Sequence, residues 1–183
     1  MEALRYSTTA RLLHWIMALL ILLTIPAGFI MVQPDLDRAV QNALFVYHKN
    51  VGVLLFLLVV TRLAWRLITP PPPLPAHVPN WQARIARFTH LALYALLFVM
   101  PVAGYIRVRA GGFPIEGLDA LGVPALVPRS DALAETAKTV HYFAGITITA
   151  FIALHVSAAL FHAIVKRDGV FSRIWPPVGK GAR

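Results

Sequence analysis

Four apolar stretches of about twenty residues, the length that crosses a hydrocarbon layer, recur along this 183-residue chain. They cover residues 10–32, 43–65, 88–106 and 140–165. The third and fourth contain no Lys, Arg, Asp or Glu, and the first two carry charge only toward their ends, at Arg11, Lys49 and Arg62. A soluble helical bundle keeps a polar stripe on every helix, and these stretches keep almost none. Composition agrees: 58% of residues are hydrophobic and 14% charged, where a soluble domain carries about 25% charged. The expectation is an all-α, integral membrane four-helix bundle forming one domain over 1–183. Residues 12–32 exceed the ~7–15 apolar residues of a secretory leader, and no small-x-small cleavage site follows clearly, so the first stretch reads as a retained helix. The chain has no cysteine. That excludes disulfides, iron–sulfur clusters, zinc–thiolate sites and thiol nucleophiles.

Orientation follows from where the bases lie, because Lys and Arg stay cytoplasmic. One side takes the N-terminus, the 62–87 loop and the tail after residue 165. It holds eleven bases (Arg5, Arg11, Arg62, Arg66, Arg84, Arg87, Lys166, Arg167, Arg173, Lys180 and Arg183) against Glu2 and Asp168. The other side holds six bases (Arg38, Lys49, Arg107, Arg109, Arg129 and Lys138) and six acids (Asp35, Asp37, Glu116, Asp119, Asp131 and Glu135). Both termini are therefore expected in the cytoplasm. The net charge of +9 becomes a consequence of topology, and no nucleic-acid partner is needed to explain it. Prolines at 70–73, 75 and 79 predict a stiff, extended cytoplasmic connector. Trp81 reads as an interfacial anchor before the third span, and the Gly- and Pro-bearing loop 110–128 is expected to lie over the outer end.

Seven histidines carry the chemistry, since an ionisable residue at membrane depth is a functional candidate by default. His141 and His155 are 14 residues apart. That is close to four helical turns, so both project from one face about 21 Å apart along the axis. His48 opens the second span at the level of His141, and His14 opens the first toward the level of His155. Depth alone lets His14 face His155, His162 or His90. Two stacked pairs of facing imidazoles suit bis-histidine haem iron better than zinc, which usually takes four donors. Gly52 and Gly145 lie four residues after His48 and His141, one turn deeper on the ligand face, where a missing side chain leaves room for a porphyrin plane. His77 falls in the Pro-rich loop and reads as ordinary surface.

Taken in order, His14-Trp15, His48-x-x-x-Gly52, Arg62-x-x-x-Arg66, His90-Leu-x-x-Tyr94, Pro101-x-x-Gly104, His141 and Leu154-His155, seven residues before His162, resemble the bacterial cytochrome b561 family over nearly the whole chain. The cytochrome b subunits of nickel–iron hydrogenases and formate dehydrogenases are similar but more distant. The resemblance implies two haem b groups, one on His48 and His141 and the other on His14 and His155. It also implies a bacterial inner-membrane location and electron transfer between an outer-side donor, superoxide or another small molecule, and ubiquinone. The alternative is a quinone-linked membrane anchor for a partner dehydrogenase or hydrogenase. Haem propionates attract charge-assisted donors, and Arg11, Arg62 and Arg66 stand near the inner level for that task. Lys49, Arg107 and Arg109 form the candidate outer cluster that would draw superoxide in. The sequence assigns no role to His90 or His162 and no oligomeric state.

Overall fold

The computed structural model describes residues 5–178. Glu2, Lys180 and Arg183 of the charge count lie outside the described residues. Four long helices make the body: α1 (Thr8–Ile30), α2 (Arg38–Ile68), α3 (Asn80–Ala110) and α5 (Asp131–Leu160), with a short α4 (Glu116–Ala120) between the last two. Among the described residues there is no strand. All four long helices are apolar enough to cross a membrane. Their outward faces carry Leu19, Leu23, Phe88, Leu91, Phe143 and Leu154, all exposed. In water such surface would drive aggregation, whereas in a bilayer it is the solvated face.

The helices outrun the apolar stretches read from the sequence. At ~1.5 Å per residue, α2 and α3 reach about 46 Å, beyond a hydrocarbon core of ~30 Å. Capping sets their starts. The Ser7 hydroxyl accepts from the Ala10 N–H, the Asp37 carboxylate from Ala39 and Val40, and the Ser130 hydroxyl from Leu133, as polar residues at helix starts do. The prolines after Thr69 stop α2. Trp81 therefore lies inside the first turn of α3 rather than before it, and it is exposed. Loop 110–128 contributes α4, a turn that the sequence reading did not separate.

α3 packs along α5, α1 along α2, and α2 along α3. α5 has no comparable packing against α1 or α2. A seam is left on that side, and a cavity of about 290 Å³ opens along it between Leu22, Ile25 and Pro26 of α1 and Thr149, Ile152, Ala153 and Val156 of α5.

The end of the bundle where α1 begins and α5 finishes is held by the C-terminal segment. The Arg11 guanidinium donates to the Pro176 carbonyl at 2.7 Å, and the Trp15 indole N–H donates to the Ile174 carbonyl at 2.9 Å. Trp15 also meets Trp175 edge to face at 5.1 Å. Arg173, 3% exposed, donates to the carbonyls of Pro72 and Pro73. Prolines supply carbonyls but no N–H, so a stretch of them needs an outside donor, and Arg173 is one. Replacing Arg173 with Ala should cost about 2–3 kcal/mol, the scale of hydrogen bonds to a charged group. Thermal unfolding in detergent should show the drop, together with faster proteolysis in the 70–79 connector.

A candidate bis-histidine cofactor site

α5 carries His141 and His155, and each meets a histidine from another helix. The His48 and His141 rings stand 6.0 Å apart between centroids at an interplanar angle of 74°. His14 and His155 stand 6.2 Å apart at the same 74°. An imidazole–metal bond is about 2 Å long and ring nitrogen to ring centre adds about 1 Å, so two rings on opposite sides of one metal ion lie about 6 Å apart. Both pairs have that spacing. His90 approaches His155 at 5.3 Å, shorter than an iron between them requires, and so stands beside the pair instead of across from it.

The far pair is also oriented. A neutral imidazole that binds metal through one nitrogen donates its other N–H to a fixed acceptor. His48 Nδ1 donates to the Thr24 carbonyl at 3.2 Å, and His141 Nδ1 donates to the Met100 carbonyl at 3.0 Å. In both cases Nε2 is the nitrogen left for a metal. The helix supplying each carbonyl has a glycine four residues on, and the ring lies against it. A Cβ on Gly28 would come within 2.9 Å of His48 Cε1, and one on Gly104 within 3.2 Å of His141 Cε1. Pro26 and Pro101 sit inside these segments. Carbonyl and glycine thus form a niche for each ring. Sequence reasoning passed over Thr24, Gly28 and Met100 and quoted Gly104 only as part of a motif. The signal available was a proline with a glycine two or three residues later, opposite a histidine. Gly52 faces open space, with nothing within 4 Å of a Cβ built there, and Gly145 has only ordinary contact with Met100. Room for a flat group is available at the first of these and on the seam side of α5. The donor set, the two ring spacings and the open seam together fit two haems.

The basic residues have partners of their own. Arg62 donates to the Tyr94 hydroxyl at 3.1 Å and to the Ala10 carbonyl at 2.7 Å, while Arg66 lies 5.7 Å from the Tyr94 ring centre. Arg62, Arg66, Tyr6 and Tyr94 line one small cleft near the His14–His155 pair. Arg11 is fully buried against the C-terminal segment. At the far end Lys49 pairs with Glu116 at 2.6 Å and Arg109 with Asp119 at 2.5 Å. Asn50 closes the contact, donating to Glu116 and accepting the Gly117 N–H. α4 is thereby fastened over the far pair. Arg107 is an electrostatic neighbour of both His48 and His141, and no ion pair is recorded for it among the described residues. Of the three far-end bases, then, two are neutralised by acids of the loop between α3 and α5.

Comparison with known proteins gives a consistent result. A family model described as prokaryotic cytochrome b561 matches residues 5–177. Cytochrome b561 homolog 2 of Escherichia coli (strain K12) is 32% identical over 171 residues, covering 93% of this chain and 90% of that protein. Cytochrome b561 homolog 1 of the same organism is 27% identical over 184 residues, 94% and 97% of the two chains. The probable superoxide oxidase CybB of Yersinia pestis is 26% identical over 174 residues, 94% and 96%.

Two outcomes are expected from this geometry. His48→Ala and His141→Ala should lose the same haem, and His14→Ala and His155→Ala the other, while His90→Ala and His162→Ala keep both. Gly28→Ala should act like a mild form of His48→Ala, because ring or helix must move, a cost of about 1–3 kcal/mol for an overfilled site. Pyridine haemochrome titration of each purified variant checks the set. Persistence of the full haem complement after His155→Ala combined with its loss after His162→Ala would overturn the pairing.

The α4 clasp should depend on pH. Burial alone would raise the Glu116 pKa, but hydrogen bonds from Lys49, its own backbone and Asn50 outweigh burial and hold it below the usual carboxylate range. Asp119 is held low chiefly by the hydrogen bond from Arg109, against a smaller opposing effect of desolvation. Both are depressed, so their contribution is complete above the ordinary carboxylate range near ~4 and is lost as pH falls through the lowered values. Hydrogen exchange in residues 111–122, corrected for intrinsic rates, should be flat from pH 7 to about 5 and lose protection only below that.

Proposed function

This chain belongs to the prokaryotic cytochrome b561 family of membrane electron-transfer proteins, and from that premise we propose that it is a di-haem superoxide:ubiquinone oxidoreductase of the bacterial inner membrane. The observation that carries the reading is the pair of metal-spaced imidazole couples, one near each end of a membrane-length helix. Bound haem b supplies one-electron redox chemistry at each couple. His48 and His141 would hold one haem, with Thr24 and Met100 fixing the rings; His14 and His155 would hold the other. Arg62 and Arg66 are the candidate donors to propionates on the inner side. The charge asymmetry of the loops supports cytoplasmic termini, which puts the α4 end outside.

The overall reaction balances simply. Two superoxide anions each give up one electron and leave as dioxygen, and one quinone gains two electrons and two protons to become the quinol. Superoxide is an anion and crosses a bilayer poorly, so it would be met at the outer end. The loop acids cancel Lys49 and Arg109 there, which makes Arg107 the base expected to attract it. A local positive charge in a cleft raises anion on-rates by roughly 10–10³ and does so less in salt. The resemblance by name to a probable superoxide oxidase supports this donor.

Stopped-flow spectra of the haem-loaded protein test the proposal. Superoxide should reduce the haem absorbance rapidly, and ubiquinone should reoxidise it. Arg107→Gln should slow the first phase by about tenfold at low ionic strength and flatten its salt dependence. Lys49→Gln and Arg109→Gln should act mainly by loosening α4. A protein that ignores superoxide yet accepts electrons from a soluble dehydrogenase would instead be the membrane anchor of that enzyme.

A further inference from the structure

A second histidine group lies past the inner pair. α5 gives way at Phe161 to a π turn (Phe161–Lys166), a feature common at functional sites because it re-aims side chains. Arg167 then takes a left-handed conformation with φ 49° and reverses the chain. The reversal brings Asp168 back onto the helix end, where its Oδ2 accepts the Nδ1–H of His162 at 2.6 Å. Its other oxygen accepts the Val170 N–H at 3.2 Å, which fixes the carboxylate. From the Pro-rich connector, His77 Nε2 approaches the same Oδ2 to 3.9 Å, beyond direct hydrogen-bond reach but short enough for a small side-chain rotation to close. The side chains of His162 and Asp168 are 14% and 12% exposed and that of His77 is 54% exposed. A polar path thus runs from solvent through a carboxylate to an imidazole seven residues, about 10 Å, below His155.

None of these three groups has a part in the imidazole couples. The charged neighbours are otherwise occupied: Lys166 lies over the Phe161 ring, Arg167 donates to the Ile164 carbonyl, and Arg173 holds the proline carbonyls. Two imidazoles joined by a carboxylate are suited to moving protons near neutral pH.

We propose that His77, Asp168 and His162 form the proton intake for the quinone reduced at the inner end of the bundle. The proposal rests on the quinone-reducing function above. Each quinone oxygen gains one proton and forms an O–H bond, with the electrons coming from superoxide. His162 as an imidazolium gives up the proton on Nε2, while Asp168 stabilises the charged ring through Nδ1–H. His77 takes a proton from water and passes it to Oδ2 of Asp168. A flip of the neutral His162 ring then turns its bare nitrogen to the protonated carboxylate and recharges it. Burial alone would raise the Asp168 pKa, but the His162 hydrogen bond, the Val170 N–H and the nearby His77 outweigh it, so the carboxylate stays ionised.

The test uses the haem-loaded protein reduced with superoxide and then mixed with ubiquinone at pH 6 to 8.5, a range chosen around the ~6.5 of an ordinary histidine. Asp168→Asn should slow quinone-dependent reoxidation about tenfold or more at the alkaline end and less at the acid end, short of the ~10²–10⁴ of a wholly lost general acid because His162 itself remains. It should leave superoxide-driven reduction and the haem spectrum unchanged. His77→Gln, a change at an exposed side chain that the fold tolerates, should slow reoxidation about threefold and be rescued by added imidazole. Wild-type reoxidation by ubiquinone with both variants matching its rate and pH profile would overturn the intake while leaving the function standing. No reoxidation of the wild type by ubiquinone would overturn the quinone reading, and the intake with it.

Discussion

The structure depends on a helix that is held at a distance. α5 packs on α3 with no comparable packing on α1 or α2, and across that separation its histidines stand about 6 Å, ring to ring, from those of the other two helices. Apolar helices in a bilayer have no hydrophobic drive to close such a gap, because lipid tails solvate them as well as another helix does. What sets the spacing at the far end is polar. Each ring is tied by Nδ1 to a carbonyl on one neighbour and offers Nε2 to the opposite side. Gly28 and Gly104 let the rings sit back against their own neighbours, which moves them out of the seam and preserves the metal-length separation. A side chain at either glycine would push the ring into the space that a cofactor needs.

The two ends of the bundle handle charge differently. At the end where α1 begins the arginines are structural as well as electrostatic: Arg11 and Arg173 donate to carbonyls of proline-rich chain, and Arg62 ties α2 to α1 through the Ala10 carbonyl. Their excess remains positive overall, the condition that keeps this end cytoplasmic in the proposed topology. At the far end Glu116 and Asp119 take up Lys49 and Arg109. A neutral far face is thereby assembled from charges that the sequence shows as separate, and α4 is the element that does it.

Much of this was legible in the sequence. The four spans follow from hydropathy and length, and the facing of His141 with His48 follows from helical period and topology. The level of His14 was legible, but its partner was not, since depth allowed three histidines; the 5.3 Å approach of His90 to His155 is a packing result that no spacing rule yields. Helix ends were short by several residues because hydropathy reports the hydrocarbon layer, whereas capping by Asp37 and Ser130 starts the helices outside it. Gly52 and Gly145 were singled out because they share a helix with a histidine. Gly28 and Gly104 lie on other helices, and their relation to the rings is wholly tertiary. Lys49 and Glu116 are 67 residues apart, so their pairing had no local signature either.

His162 shows how far a change in helix type can carry function. Seven residues after His155, an unbroken α-helix would place it on the same face, in line with the other two histidines and one further step along the seam. The π turn and the left-handed Arg167 bring Asp168 back within hydrogen-bond reach of it instead. The imidazole acquires a carboxylate partner and a link to the solvent-exposed His77, and it cannot serve at the same time as a plain continuation of the haem-side row. Under the proposed function, electron-carrying and proton-carrying histidines would then be separated on one helix by a local change of winding. In the proposed reaction electrons would arrive from the superoxide side and protons from the other, and this change of winding would keep the two routes apart.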